Sequence, residues 1–264
     1  MKQKFSVLLM VITAVLVLAA CGTKDGGNAS NDPGTDGDNK VYMVGTEATF
    51  APFESIDADG NIVGIDVDIL QAIADEVGIQ VEWRNVGWDA VFSMINNKET
   101  DIGASGITIT EDRQKTFDFT EPYYESKLLI ALPSDSTISS LDELKDKKIA
   151  VQINATGHVA AKKLQGEMSK NILAFESQPL AIQEMLNGNA DAVIGDNAVV
   201  YEYMKANPDK KLKIVEDDAF EREYYGLMVR KGNKELLDKL NEGLQKIKEN
   251  GKLEEITGSA FWKE

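Results

Sequence analysis

The chain has one cysteine, Cys21, and one histidine, His158. A single thiol cannot close a disulfide within the chain, and there is no Cys/His cluster to hold a metal. No cofactor is expected, and the 264 residues are enough to rely on a hydrophobic core. Basic residues are also scarce. The 28 Lys and Arg stand against 44 Asp and Glu, for a net charge of −16. With no basic stripe to neutralise phosphates, nucleic acid is excluded as a partner. Charge-driven adhesion to anionic lipid is excluded for the same reason. Net charge bears only weakly on a small ligand, favouring cationic or zwitterionic ones. One long apolar run exists, over 5–20; no second follows it, so no receptor-type signalling span is expected.

That run comes after Lys2 and Lys4, which gives the charged n-region and short h-region of a secretory signal peptide over 1–20. It ends in Leu18-Ala19-Ala20-Cys21, with Gly22 next. The tetrapeptide resembles the lipobox of bacterial lipoproteins, which implies cleavage before Cys21 and a lipid on its thiol. The alternative is an ordinary signal peptide that happens to end in Cys. Cleavage removes two lysines and makes the chain more acidic still. Residues 22–40 have no large apolar side chain and are rich in Gly, Asp and Asn. They cannot bury enough surface to offset their ordering entropy, so 21–40 reads as a lipidated cysteine with a flexible tether.

From about Val41 the pattern alternates. Short β-rich runs at 41–44, 79–83, 102–104, 128–132, 149–151, 172–175, 192–194, 212–215 and 225–229 read as strands. Helical patterns fall at 68–77, 89–96, 141–144, 158–164, 180–186, 198–206 and 234–248. Ser140 to Glu143 reads as a capping box. This alternation predicts an α/β fold with largely parallel sheets. A weak echo bears on domain number: Met94-Ile95-Asn96-Asn97 leads through Asp101 into an apolar strand and Ser105-Gly106-Ile107-Thr108. Met185-Leu186-Asn187-Gly188 leads through Asp191 into another and Gly195-Asp196-Asn197. Two lobes would explain the echo, and so would chance similarity of two βα units. In open α/β sheets ligands bind at the carboxyl ends of strands, which marks Ser105–Thr108 and Asp196.

Several motifs stand in order: Gly45-Thr46-Glu47-Ala48-Thr49-Phe50-Ala51-Pro52-Phe53-Glu54, Gly64-Ile65-Asp66-Val67-Asp68, Gly87-Trp88-Asp89, and Ser105-Gly106-Ile107-Thr108 running on to Arg113. Then come Phe117-Asp118-Phe119-Thr120-Glu121-Pro122-Tyr123-Tyr124, Gln152-Ile153-Asn154-Ala155-Thr156-Gly157 and Ala190-Asp191-Ala192-Val193-Ile194-Gly195-Asp196. Together they resemble the polar amino acid solute-binding proteins of ABC importers, from about Tyr42 to Trp262. The resemblance implies a type II periplasmic-binding-protein-like fold, two α/β lobes joined by two hinge strands. Lobe 1 would comprise 41–127 and 225–264, and lobe 2 would comprise 128–224. The implied partners are a free amino acid and a membrane permease, with the chain a monomer held on the outer face of the cytoplasmic membrane, as on a Gram-positive cell.

A free amino acid brings two charges that must be paired when buried. Read alone, Arg113 is a solvated charge among its neighbours; the resemblance makes it the carboxylate-gripping guanidinium. Backbone N–H groups of Thr108, Thr156 and Gly157 would assist it. The common family loop is Gly-Thr-Thr-Gly, and Asn154-Ala155 departs from its first half, so altered loop geometry is expected there. Asp196 would take the ammonium, with the Gly106 carbonyl and Thr108 hydroxyl, unless it is simply a helix cap. Phe50 and Trp88 would sandwich the side chain or serve as core, with Trp88 placed at the rim. Glu47, facing Gln152, would read a guanidinium or ammonium by charge and cation–π contact. Arginine or another cationic amino acid is therefore favoured and glutamine is second; a solvated Glu47 is the plain alternative. A dehydratase-like enzyme on the same fold is the further alternative, but no nucleophile–base pair can be assembled and His158 reads as a solvated helix-start residue.

Overall fold

The structure, a computed structural model, describes residues 40–259. The expected signal peptide, Cys21 and all but the last residue of the tether lie outside the described residues. After β1 (Val41–Thr46), three short strands form a small antiparallel sheet: β2 (Thr49–Phe50), β3 (Glu54–Ile56) and β4 (Ile62–Val63). Next come α1 (Ile65–Val77), β5 (Gln80–Asn85), α2 (Trp88–Asn97), β6 (Ile102–Gly103), α3 (Glu111–Thr116) and β7 (Phe117–Phe119). The long strand β8 (Tyr124–Pro133) and a 3-10 turn at Leu141–Leu144 follow. They lead to β9 (Ile149–Gln152), α4 (Thr156–Gln165), β10 (Ile172–Phe175), α5 (Gln178–Leu186), β11 (Ala192–Asp196) and α6 (Asn197–Ala206). The chain finishes with β12 (Leu212–Val215), β13 (Arg222–Tyr225), β14 (Met228–Arg230), α7 (Lys234–Glu249) and α8 (Lys252–Thr257).

The main strands divide between two five-strand paths, β5-β1-β6-β14-β7 and β10-β9-β11-β8-β12. β1 lies between β5 and β6, and β9 between β10 and β11, each pairing parallel with both neighbours. An antiparallel strand stands beyond, β14 beside β6 and β8 beside β11. The expectation of largely parallel sheets is therefore corrected to mixed sheets. The strands that follow a helix, β7 and β12 included, run the same way as β1 and β9, and within the two paths only β14 and β8 run against them.

Helices cover both faces of each sheet. In the first lobe, α1 buries Ile69, Leu70, Ile73 and Ala74, and α7 buries Leu236, Leu240, Leu244 and Ile247. These are helical-period stripes, and burying each large side chain contributes about 1.5–3 kcal/mol. On the opposite face Val91 and Ile95 of α2 pack with Ile107 and Met228. The second lobe packs Ala161 of α4 under one face of its sheet, and Ala181, Ile182 and Met185 of α5 under the other. No described helix is long and apolar enough to cross a membrane.

A two-strand ribbon links the lobes. The first residues of β8 pair antiparallel with β13, from Tyr124↔Tyr225 to Lys127↔Arg222, before β8 continues into the second sheet. The expected strand over 225–229 is thus two strands, β13 and β14, which break where the chain leaves the ribbon. The capping box at Ser140 is not formed. The Ser140 hydroxyl reaches Glu143 Oε1 at 3.4 Å and makes no bond to the helix backbone, over a single 3-10 turn.

The sequence echo has a structural counterpart. Asp101 accepts from the Met43 N–H at 2.9 Å, and its own N–H donates to the Met43 carbonyl. Asp191 does the same with Lys148, at 2.8 Å in both directions. Asp101 clips the entrance of β6 to Met43 of β1, and Asp191 clips the entrance of β11 to Lys148 just before β9.

Candidate ligand-binding cleft

The carboxyl ends of the central strands of both lobes face one another. The first lobe supplies the turn 105–108 after β6, and buried acids of α1 and β3 fix it in place. Asp66 accepts from the Gly106 N–H and from the Tyr123 hydroxyl, both at 2.8 Å. Ser105 accepts the Glu47 N–H at 3.0 Å and donates to Glu54 Oε1 at 2.6 Å. Ser105 therefore sets the backbone position of Glu47. Gly106 has φ +53°, and a Cβ there would lie 2.5 Å from the Phe50 ring, so only glycine lets that ring close over the turn.

Glu47 is buried at 6 % exposure, which removes the solvated reading. Its Oε1 accepts from the Thr49 hydroxyl, while Oε2 has no hydrogen-bond partner. Desolvation pushes its pKa up to about 7, partly opposed by the Thr49 bond. Such a carboxylate gains most from a cation brought to it. A cavity of about 380 Å³ adjoins it, with Trp88, Ile153 and Leu180 as apolar walls. Glu47, Asp89 and Glu176 are the charged residues of its lining, and no Lys or Arg is among them. Trp88, expected at the rim, is buried at 7 % exposure and packs with Val91 and Ile107. Its ring is half wall, half core, because the first turn of α2 carries it inward. Phe50 belongs to the core of the first lobe, 5.9 Å from Phe53. Gln152 is buried at the end of β9 and donates to the Glu176 carbonyl at 3.4 Å.

Arg113 projects from α3, whose N-cap Thr110 accepts the Arg113 N–H at 3.2 Å. Its guanidinium donates to the Thr108 carbonyl at 2.8 Å and, across the cleft, to the Asn154 carbonyl at 3.2 Å. It lies 5.3 Å from the Trp88 ring centroid and 5.2 Å from that of Phe92. Two carbonyl bonds leave most of its five N–H donors for another acceptor. Burial lowers its pKa to about 10, opposed by the charges of Glu223, Asp196 and Tyr225, so it stays cationic at neutral pH.

Asp196 ends β11 as the N-cap residue of α6, yet its side chain makes no cap bond. Its Oδ1 accepts instead from the Tyr225 hydroxyl and, at 3.4 Å, from Ser126; the two hydroxyls lie 3.0 Å apart. The cap alternative thus fails, and the carboxylate is tied to the ribbon. Burial raises its pKa, while the Tyr225 bond and Arg113 oppose the rise.

Helix α4 starts at Thr156 with Ala155 as N-cap, so no side chain satisfies the first N–H groups, those of Thr156 and Gly157. A Cβ on Gly157 would sit 2.5 Å from the Ile194 carbonyl oxygen, so glycine here allows α4 to lie against β11. Asn154 takes φ +56°, the left-handed region that Asn tolerates better than most residues. The departure from glycine is absorbed there, and Asn154 adds a bond to Asp89 of the first lobe at 3.0 Å. His158 is partly buried, and its Nδ1 accepts the Asn154 N–H at 3.0 Å.

Sequence reasoning missed four contributors. Glu223 of β13 accepts from the hydroxyls of Thr108 and Thr156, Asp89 and Glu176 line the acidic cavity, and Phe92 flanks Arg113. Two carboxylates beside Gly87-Trp88 and Phe175 were visible in the sequence, but nothing local marks Glu223. A second cavity of about 730 Å³ lies on the ribbon side of Arg113, Thr108, Thr156 and Glu223. Among the described residues, no group of His, Cys, Asp and Glu is arranged to hold a metal.

Two mixed α/β lobes on a two-strand ribbon, with strand ends facing across a charged cleft, constitute the periplasmic-binding-protein-like fold. The chain belongs to the bacterial extracellular solute-binding proteins, family 3, whose model matches residues 42–262. It is a solute-binding protein of amino acid ABC transporters, and its relatives are binding proteins. One, from Neisseria gonorrhoeae and described as a "Probable histidine-binding protein", is 38% identical across 100% of this chain and 98% of its own. The arginine-, lysine-, histidine-binding protein of Geobacillus stearothermophilus has a solved structure with TM-score 0.79 and 46% identity, covering 82% of this chain and 93% of that one. An ancestral arginine-binding protein bound to glutamine gives TM-score 0.76 and 39% identity over 82% and 95%.

Proposed function

We propose that the chain captures arginine, and cationic amino acids generally, and hands them to a membrane permease. The observation that carries this is the cavity of about 380 Å³ walled by Glu47, Asp89 and Glu176 without a cationic residue. Each charge of the ligand then has an opposite partner, without which burial would cost several kcal/mol. The carboxylate goes to Arg113 and the N–H groups of Thr108, Thr156 and Gly157. The ammonium goes to Asp196, the Gly106 carbonyl and the Thr108 hydroxyl. The guanidinium enters the acidic cavity toward Glu47, with Trp88, Phe50 and Gln152 bounding the space. Because Arg113 and Asp196 belong to different lobes, the zwitterion itself stabilises closure through contacts made only in the closed state.

Lobe 1 comprises 41–127 and 225–264, and lobe 2 comprises 128–224. A lipid on Cys21, exposed by cleavage of 1–20, holds a monomer to the outer face of the cytoplasmic membrane, and 22–40 spaces it from the headgroups. The ligand leaves unchanged, because the groups around it serve to pair its charges. Affinity is expected near micromolar or tighter, about −8 kcal/mol.

The test is calorimetric titration of the purified chain, freed of carried-over ligand, with arginine, lysine, histidine and glutamine. Tight one-to-one arginine binding supports the reading, and silence with all four overturns it. Glutamine is the second reading, favoured by the glutamine-bound ancestral arginine-binding protein. Glu47→Gln separates the two: arginine affinity falls roughly 30-fold or more, as for a lost buried charge pair, while glutamine affinity holds. With a pKa of about 7 in the empty cleft, Glu47 must release its proton to meet a cation. Arginine affinity should therefore rise as pH increases through that value.

A further inference from the structure

We propose that Glu223 is a positioning residue for the ligand ammonium, fixing the Thr108 and Thr156 hydroxyls so that their lone pairs face the cleft. The proposal rests on the amino acid reading above and deepens it. Glu223 stands on β13 in the ribbon, paired with Ser126 of β8. A single oxygen, Oε2, accepts from Thr108 Oγ1 at 3.0 Å and from Thr156 Oγ1 at 2.9 Å. Thr108 belongs to the turn after β6 in the first lobe, and Thr156 opens α4 in the second.

A hydroxyl has one proton and two lone pairs. Once the proton is committed to a carboxylate, the oxygen can only accept from anything else. An ammonium only donates, and an ionised carboxylate only accepts. The two threonines so held welcome the ammonium end of an amino acid and reject its carboxylate. That end is left to Arg113 and to the N–H groups at the start of α4. Glu223 thereby sets which way round the zwitterion lies, without touching it. The charges nearby agree: Glu223 and Asp196 are close enough to repel, with Arg113 the opposing cation. An incoming ammonium relieves that repulsion.

A plain latch between the lobes would use the same two bonds, but it would affect every ligand alike. The experiment is calorimetry on the full chain with three probes: arginine, agmatine (ammonium but no carboxylate) and 5-guanidinopentanoate (carboxylate but no α-ammonium). Glu223→Met removes the acceptor. Arginine and agmatine should each weaken tenfold or more, and 5-guanidinopentanoate should stay within about twofold. Glu223→Gln, whose amide oxygen can take the same two protons, should restore most of the arginine affinity. If Glu223→Met folds poorly, Thr156→Val should give the same pattern by removing the other hydroxyl that Glu223 holds. Equal weakening of all three probes, or failure of Glu223→Gln to rescue, overturns the proposal. If the parent chain binds glutamine and not arginine, the cationic reading fails alone; glutamine, its decarboxylated and its deaminated analogue then serve as the three probes. A parent chain that binds neither overturns both.

Discussion

In the first lobe, β1 reaches α1 only after the excursion over 47–64, which folds as the small sheet β2-β3-β4. In the second lobe, β9 passes to α4 through Ile153, Asn154 and Ala155 alone. The strand order around both is the same. The excursion brings Glu47, Phe50, Phe53 and Glu54 into the first lobe, and Asp66 lies just beyond it, giving three buried carboxylates. The short second-lobe connection leaves helix N–H groups and one buried carboxylate, Asp196. One scaffold, used twice, has thus been elaborated as a side-chain pocket on one side and kept as a clasp on the other.

The sharpest test of that division sets Arg113→Ala against Asp196→Ala. Each removes a charge from a buried pairing, so each should lower amino acid affinity by about 3–5 kcal/mol. Their effects on the empty protein should differ. Arg113 is only partly buried, so water can take its place at the Thr108 and Asn154 carbonyls, and its loss should shift the melting temperature little. Losing Asp196 removes the shared acceptor of the Tyr225 and Ser126 hydroxyls, which keep only each other and Asn197 as partners, at about 1 kcal/mol. Equal melting temperatures for the two ligand-free variants would break the comparison.

A second test uses pH. Asp66 is raised to about 7 by burial, opposed by its Gly106 and Tyr123 bonds; Glu47 is raised to about 7 and Glu54 further, again by burial. These groups keep protons in the folded chain that the unfolded chain gives up near pH 4. Stability of the empty protein should therefore fall as pH rises from about 4 to 7, by up to about 1.4 kcal/mol per pH unit for each group. Asp66→Asn should flatten that slope in denaturant titrations at pH 5 and 8. An unchanged slope would show that the first-lobe acids are not protonated as a cluster.

The long elements were legible because periodicity spans them: α7 carries Leu236, Leu240, Leu244 and Ile247 on one stripe. The strands β2, β3, β4 and β7 have two or three residues each, too few for any period to register. In the cleft, Arg113, Asp196 and Glu47 were named through the resemblance, and the folded chain sets Arg113 and Asp196 within electrostatic reach. Glu223 was invisible because its partner Thr108 lies 115 residues away. Trp88 was misjudged at the rim because a glycine before it and an Asp after it describe the turn, not the direction of its ring.

Gly157→Ala asks whether the clasp depends on close packing. The added methyl would meet the Ile194 carbonyl at 2.5 Å, and backbone cannot swing aside as a side chain can. Helix α4 must lift from β11, at about 1–3 kcal/mol of stability. The N–H groups of Thr156 and Gly157 move with it, so affinity and stability should fall together. A stable Gly157→Ala with unchanged affinity would mean that the start of α4 is not held by this contact.

The smallest effects should come from the one device the lobes share. Asp101 takes the Met43 N–H of β1 and Asp191 the Lys148 N–H just before β9, at 2.9 and 2.8 Å, both close to solvent. Asp101→Ala and Asp191→Ala should each cost about 1 kcal/mol, the usual net worth of a single hydrogen bond. Their sites lie in separate sheets with no shared partner, so the double variant should be additive within about 0.5 kcal/mol. Neither aspartate lies in the cleft, so ligand affinity should not move. If one variant changed affinity and the other did not, the repeated clip would have acquired a role in only one lobe, and the division between pocket and clasp would extend down to the base of the strands.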